Sequence, residues 1–169
     1  MIHVYRVMAA IGASLMLASF ATGLWAADWR GLHVALSVGT VAVVLGIHTI
    51  VYAYFFATVK QAETASRALG LPAWPTAQAS RNRRRASPFI LLGAVSVVLT
   101  AGLGLRSPQA GAWPWHLAAS SFALGFGAVA TLIVYAGLIA HRKLLAEMQE
   151  LADEGREAAE SADAAEVSS

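Results

Sequence analysis

"GLHVALSVGTVAVVLGIHTIVYAYFFATV" fills residues 31–59 without one Asp, Glu, Lys or Arg. A helix rises 1.5 Å per residue, so this run is longer than the roughly 30 Å hydrocarbon core of a bilayer requires. Three more charge-free runs, 7–27, 86–105 and 107–141, each have at least 20 residues. Of the 169 residues, 57% are hydrophobic and 13% charged, with a mean hydropathy of +0.59. A soluble domain carries about a quarter charged residues. The expectation is an all-α integral membrane protein, a four-transmembrane-helix bundle with spans at about 5–27, 32–59, 88–106 and 114–140. Those spans fill a membrane domain over 1–141 and leave no room for a separate soluble one.

The first run, "RVMAAIGASLMLASFATGLWAA" (6–27), is longer than the roughly 7–15 apolar residues of a signal peptide. Its "ATGLWAADW" offers only a poor small-residue cleavage pattern, so it reads as a retained helix. The chain has no cysteine, which excludes disulfides, thiolate ligands and thiol redox chemistry.

Charge then orients the spans. The 60–87 connection holds six of the 12 basic residues, Lys60, Arg67, Arg81, Arg83, Arg84 and Arg85. Arg6, Arg142 and Lys143 fall on the same side, and only Arg30 and Arg106 on the other. The positive-inside rule places both termini and the 60–87 loop in the cytoplasm, and the expected location is a bacterial inner membrane. Trp25, Trp29, Trp113 and Trp115 then form an aromatic belt at the outer boundary. The basic cluster Arg81, Arg83, Arg84 and Arg85 is first a topology signal, and it also suits attraction to anionic lipid.

Beyond the spans the sequence predicts cytoplasmic helical extensions. Helix 2 continues to a stop at Gly70 and Pro72, and helix 3 restarts with Ser87 as N-cap and Pro88 at its first position. Residues 142–169 read as an amphipathic helix followed by a disordered acidic tail. Leu144, Leu145, Met148 and Leu151 recur at helical spacing, while the Ala, Glu, Ser and Asp composition after Gly155 cannot bury a core.

An internal repeat divides the chain into two tandem helical hairpins. An offset of 83 aligns His33 with His116, Ala35 with Ala118, Ser37 with Ser120, and Ile50-Val51-Tyr52-Ala53 with Ile133-Val134-Tyr135-Ala136. Ala57 and Lys60 meet Ala140 and Lys143, making nine identities over 28 positions. Helices 1 and 3 match more weakly, through "TGLW" (22–25) and "AGLG" (101–104). The repeat makes helices 2 and 4 parallel, a known arrangement in membrane proteins.

Equivalent histidines at equal depth admit two readings. Facing each other, His33 and His116 could supply both axial ligands of a b-type haem. Ser37 and Ser120 follow at i+4 on the same helix faces. Arg30 and Arg106 could pair with propionates, and Gly39, Ala118, Ala119, Gly125 and Gly127 could make room for a macrocycle. Against this, histidines beside tryptophan at helix mouths are ordinary interfacial residues, and small residues are ordinary packing points. Two histidines with no nearby carboxylate make a poor zinc site.

His48 lies 15 residues beyond His33, about 22 Å along the helix and inside the hydrocarbon. An ionisable residue at that depth is a functional candidate. With Tyr52, and with Thr131 and Tyr135 at matching positions of helix 4, it forms an intramembrane polar site. Either the histidine is neutral and bonded to a hydroxyl across the helices, or it belongs to a quinone or proton site. His3 and His141 fall at cytoplasmic helix ends, where solvation suffices. No acidic residue lies inside a span, and no P-loop, HExxH or GxSxG pattern occurs, so nothing points to an autonomous enzyme.

Histidines at the ends of parallel helices, each preceded by a helix with a Gly-Leu pair, resemble membrane b-type cytochromes. Haem A synthases are also similar, as tandem helical repeats with such histidines, but about twice as long. The resemblance implies haem b between His33 and His116 and electron transfer within a membrane complex. The competing expectation is a cofactor-free structural or assembly subunit. Either reading has the bilayer as partner, together with other membrane subunits or further copies of the chain, and neither involves nucleic acid.

Overall fold

The structure, a computed structural model, describes residues 1–106 and 113–167. Within these it describes the side chains of all but 26–28, 105, 106, 159 and 162–167. Four helices carry the described residues: α1 (Ile2–Leu24), α2 (Ala26–Ala68), α3 (Trp74–Arg106) and α4 (Trp113–Val167). All four are long and apolar enough to cross a membrane. A helix suits such runs because lipid offers no partner to a backbone N–H or C=O, so each must be met within the segment.

Consecutive helices pack side by side, and α1 closes the ring against α4 more sparsely. The contacts give the directions. Ser19 meets Ser37, and Gly12 meets Val44 and Ile47, so α1 and α2 run antiparallel. His48 packs on Gly93 while Phe55 and Ala86 share a neighbour in Gly137, which makes α3 antiparallel to both α2 and α4. α2 and α4 are therefore parallel and diagonal, and side chains from both can meet on the bundle axis.

The same face of each diagonal helix points inward. Thr40, Ile47, Val51, Phe55 and Thr58 are buried on α2, and Ala123, Ala130, Val134, Leu138 and His141 on α4, each 83 positions on. Phe55 and Leu138 anchor the main core, with Tyr5, Ile90 and Ala86 around them. Lipid tails are as apolar as these side chains, so close packing rather than hydrophobic exclusion holds the helices together. Gly137 permits that approach, since a Cβ there would lie 3.3 Å from the Phe55 ring.

Helix ends differ from expectation in three places. α1 stops at Leu24, short of residue 27, and α2 starts at Ala26 with a kink at Trp29 (φ −120°, ψ 22°). α2 does end as expected. Gly70 takes φ 62°, and the Leu71 N–H reaches back to the Ser66 carbonyl at 3.0 Å, a Schellman closure.

The expected loop to residue 87, however, is a short turn. α3 already begins at Trp74, so Ser87 is no N-cap and Pro88 lies inside the helix. The Ala, Gln and Arg content of 77–86 favours helix. Pro88 removes only the bond to the Arg84 carbonyl, and Ser87 turns its hydroxyl onto the Arg83 carbonyl at 2.8 Å. This early stretch of α3 packs Ala79 against Val59, Ala62, Leu144 and Met148 in a second, smaller core. Finally, α4 does not give way to disorder after Gly155 but continues helical to Val167. Ala and Glu are strong helix formers, so the segment needs no core to hold that form.

Candidate functional site

At the tryptophan-rich end the two diagonal helices bring His33 and His116 face to face. Their ring centres are 6.1 Å apart, with planes at 72°. Trp29 and Trp115 are both exposed, while the two rings face each other.

Each ring is held from the helix before it. The His33 Nδ1–H donates to the Ser19 carbonyl at 2.9 Å, and the His116 Nδ1–H to the Thr100 carbonyl at 3.2 Å. A carbonyl can only accept, so both nitrogens carry the proton, and in the neutral ring Nε2 keeps its lone pair. That is how metal-ligating histidines are commonly oriented. Each ring also lies on a glycine of the same helix. A Cβ at Gly23 would come within 2.9 Å of His33 Cε1, and one at Gly104 within 2.9 Å of His116 Cε1. Ser19 and Thr100, like Gly23 and Gly104, are 81 positions apart. The Gly-Leu match in the sequence singled out Gly102 instead, and that position faces open space.

The serines act one step removed. Ser37 bonds the Ser19 hydroxyl at 2.7 Å, bracing the residue whose carbonyl holds His33, and Ser120 bonds the His116 carbonyl at 2.8 Å. Neither touches an imidazole nitrogen, but both line the cavity between the rings. That cavity is about 80 Å3, with Thr40, Thr100 and Trp113 also in its wall. Arg30 is exposed at this end, and the Arg106 side chain lies outside the described residues. Of the small residues expected to make room, Gly127 lines a cavity, though a deeper one, while Ala118 and Gly125 are exposed.

The deeper cavity is about 500 Å3 and shares Met16, Val97, Ala123 and Leu124 with the first. His48 and Thr131 both line it. Among the described residues His48 makes no hydrogen bond to a hydroxyl across the helices, and its Nδ1–H donates to the Val44 carbonyl of its own helix at 2.7 Å. Tyr52 is exposed, away from the cavity. Tyr135 stacks on Tyr5 (centroids 6.5 Å) and accepts from Arg6, whose guanidinium also lies over the Tyr135 ring. The four-residue polar site thus divides, with His48 and Thr131 at the cavity and the two tyrosines elsewhere.

Two features escaped sequence reasoning. Tyr5 and Arg6 close the end of the bundle away from the tryptophans through Tyr135 and the Thr131 carbonyl, to which the Tyr5 hydroxyl donates at 3.2 Å. His141 is not solvated. It is fully buried between Tyr54 and Phe55 (centroids 5.9 and 5.6 Å), and neither ring nitrogen has a hydrogen-bond partner among the described residues. Nothing in its local sequence signals this, beyond its alignment with buried Thr58. In the basic cluster Arg83 lies over the Phe56 ring at 5.9 Å, while Arg81, Arg84 and Arg85 are exposed. Among the described residues no three His, Asp or Glu side chains gather as a metal site. Comparison with protein-family models, curated proteins and solved structures finds no match for this chain, so its function is read from this geometry.

Proposed function

We propose that this protein is a membrane electron-transfer subunit holding one b-type haem between His33 and His116. One observation carries the reading: two imidazoles meet on the bundle axis with both Nδ1 atoms engaged by carbonyls and their ring centres 6.1 Å apart. Two axial ligands to one iron need about 4 Å between their nitrogens, hence about 6 Å between ring centres. The donor set fits. The local cavity of about 80 Å3 is smaller than a macrocycle, so the helices would have to part at this end to admit one.

When bound, haem would supply the one-electron capacity that no side chain here provides. The chain's own part is to fix both tautomers, to raise imidazole basicity through the Nδ1–H bonds, and to keep water out with an apolar wall. Arg30 and Arg106, at the same end, suit the propionates.

The matched burial of α2 and α4 supports an origin as two tandem hairpins. The loop charges support an orientation with the termini and helical extensions in the cytoplasm and the basic cluster Arg81, Arg83, Arg84 and Arg85 on anionic headgroups; the membrane we propose is a bacterial inner membrane. Without an enzyme motif, the subunit works with other membrane subunits or further copies of itself. The tight cavity at the rings favours a second reading, a cofactor-free structural or assembly subunit whose histidines simply pack edge to face. The visible spectrum of detergent-purified protein from haem-replete cells separates the two. A reduced-minus-oxidised Soret and α-band, lost in His33→Ala and in His116→Ala, is expected; colourless protein overturns the haem reading.

A further inference from the structure

The walls of the deeper cavity, about 500 Å3, describe what fills it. None of its lining side chains is charged. An ion or a carboxylate-bearing macrocycle would be left uncompensated there, at the depth where charge is most costly. Leu17 of α1 and Leu132 of α4 line it and are also exposed on the outer face of the bundle, at the seam where packing is sparsest. The cavity therefore opens sideways into the bilayer, and its occupant arrives dissolved in lipid.

The opposite wall carries His48, packed on Gly93 so closely that a Cβ there would lie 2.5 Å from Nε2. Nδ1–H is committed to the Val44 carbonyl, which leaves Nε2 an acceptor without a hydrogen-bond partner among the described residues. An acyl chain would fill the space and leave that nitrogen unmet. A lipophile bearing a hydroxyl would satisfy it.

We propose that this cavity binds a neutral, lipid-soluble hydroquinone, with one hydroxyl donating to His48 Nε2. The choice of a hydroquinone over another lipophilic alcohol rests on the electron-transfer reading, since the two cavities share walls; the binding itself does not. The acceptor on His48 also sets a direction. A quinone has only acceptors to offer, so the reduced form binds more tightly than the oxidised form, unless His48 gives up its bond to Val44.

The test is equilibrium binding of tritiated decyl-hydroquinone, kept reduced, to the full chain in phosphatidylcholine nanodiscs. Saturable binding of one molecule per chain is expected, about tenfold tighter than for the decyl-quinone, one hydrogen bond's worth. His48→Leu should weaken it about tenfold. Ala128→Trp, at an exposed position of the lining, should block entry while leaving the core untouched. If His48→Leu fails to run as a single species on gel filtration, His48→Gln, which keeps an acceptor, should bind between the two. Non-saturable binding, equal affinity for quinone and hydroquinone, or no effect of His48→Leu would overturn the proposal; phospholipid retained through purification would then identify the cavity as an acyl-chain slot. The visible spectrum of the same sample separates the readings: colourless protein that still binds the hydroquinone removes only the electron-transfer half.

Discussion

Gly23 and Gly104 are where the histidine site is most sensitive to a single methyl group. A Cβ at either would come within 2.9 Å of an imidazole carbon, whereas one at Gly102 meets nothing within 4 Å. Carbon atoms at rest sit about 3.5–4.0 Å apart, so each ring must retreat by about 0.6 Å or more. The ring is rigid and tied to a carbonyl, so it cannot yield at its tip alone. For His116 a retreat of that size takes the 3.2 Å bond to Thr100 past the limit of a hydrogen bond.

All three glycines lie in apolar helices, so any helix-propensity gain from alanine, about 1 kcal/mol, is common to them. The difference between variants then isolates the clash, expected at about 1–3 kcal/mol from overpacking. Thermal unfolding in detergent, followed by circular dichroism, should place Gly23→Ala and Gly104→Ala clearly below Gly102→Ala. If haem is bound, its affinity should also fall 10–100-fold in the two clashing variants, as when an outer partner of a metal ligand is lost. Gly104→Ala behaving like Gly102→Ala would refute the packing argument.

Phe55 is fully buried at the centre of the core, so Phe55→Ala should cost about 3–5 kcal/mol by the same unfolding assay. A cost below 1 kcal/mol would mean the helices collapse onto the gap. His141 is buried with both nitrogens unpartnered among the described residues, so His141→Phe loses no hydrogen bond and removes a desolvation penalty of about 1–3 kcal/mol. A neutral or higher midpoint is expected; a clear drop would reveal a bound water or partner at the ring. Reporter fusions at residues 110 and 160 should report opposite sides of the membrane, and agreement between them would undo the four-span topology.

The sequence by itself determined that the chain has four runs long and apolar enough to cross a membrane, and their register along the bundle axis. Charge-free length is a local property, so that count needed no tertiary contact. The offset of 83 likewise placed His33 and His116 at one depth, because depth in a helix depends only on position along the chain. Rotation about the helix axis is different. It is set by whichever neighbours a helix packs against, and those come from distant segments. Tertiary structure therefore decided that the two imidazoles meet on the axis while Tyr52 turns outward and His141 inward. It decided that Gly104, not Gly102, lies under a ring, since the two differ by half a turn in which helix face they present. It also kept Pro88 within α3, where the helix formers before it and the packing of Ala79 outweigh one missing bond. The space beneath the histidines was likewise invisible in the chain. A stripe of small residues reads as close packing until the helices are seen to stand apart.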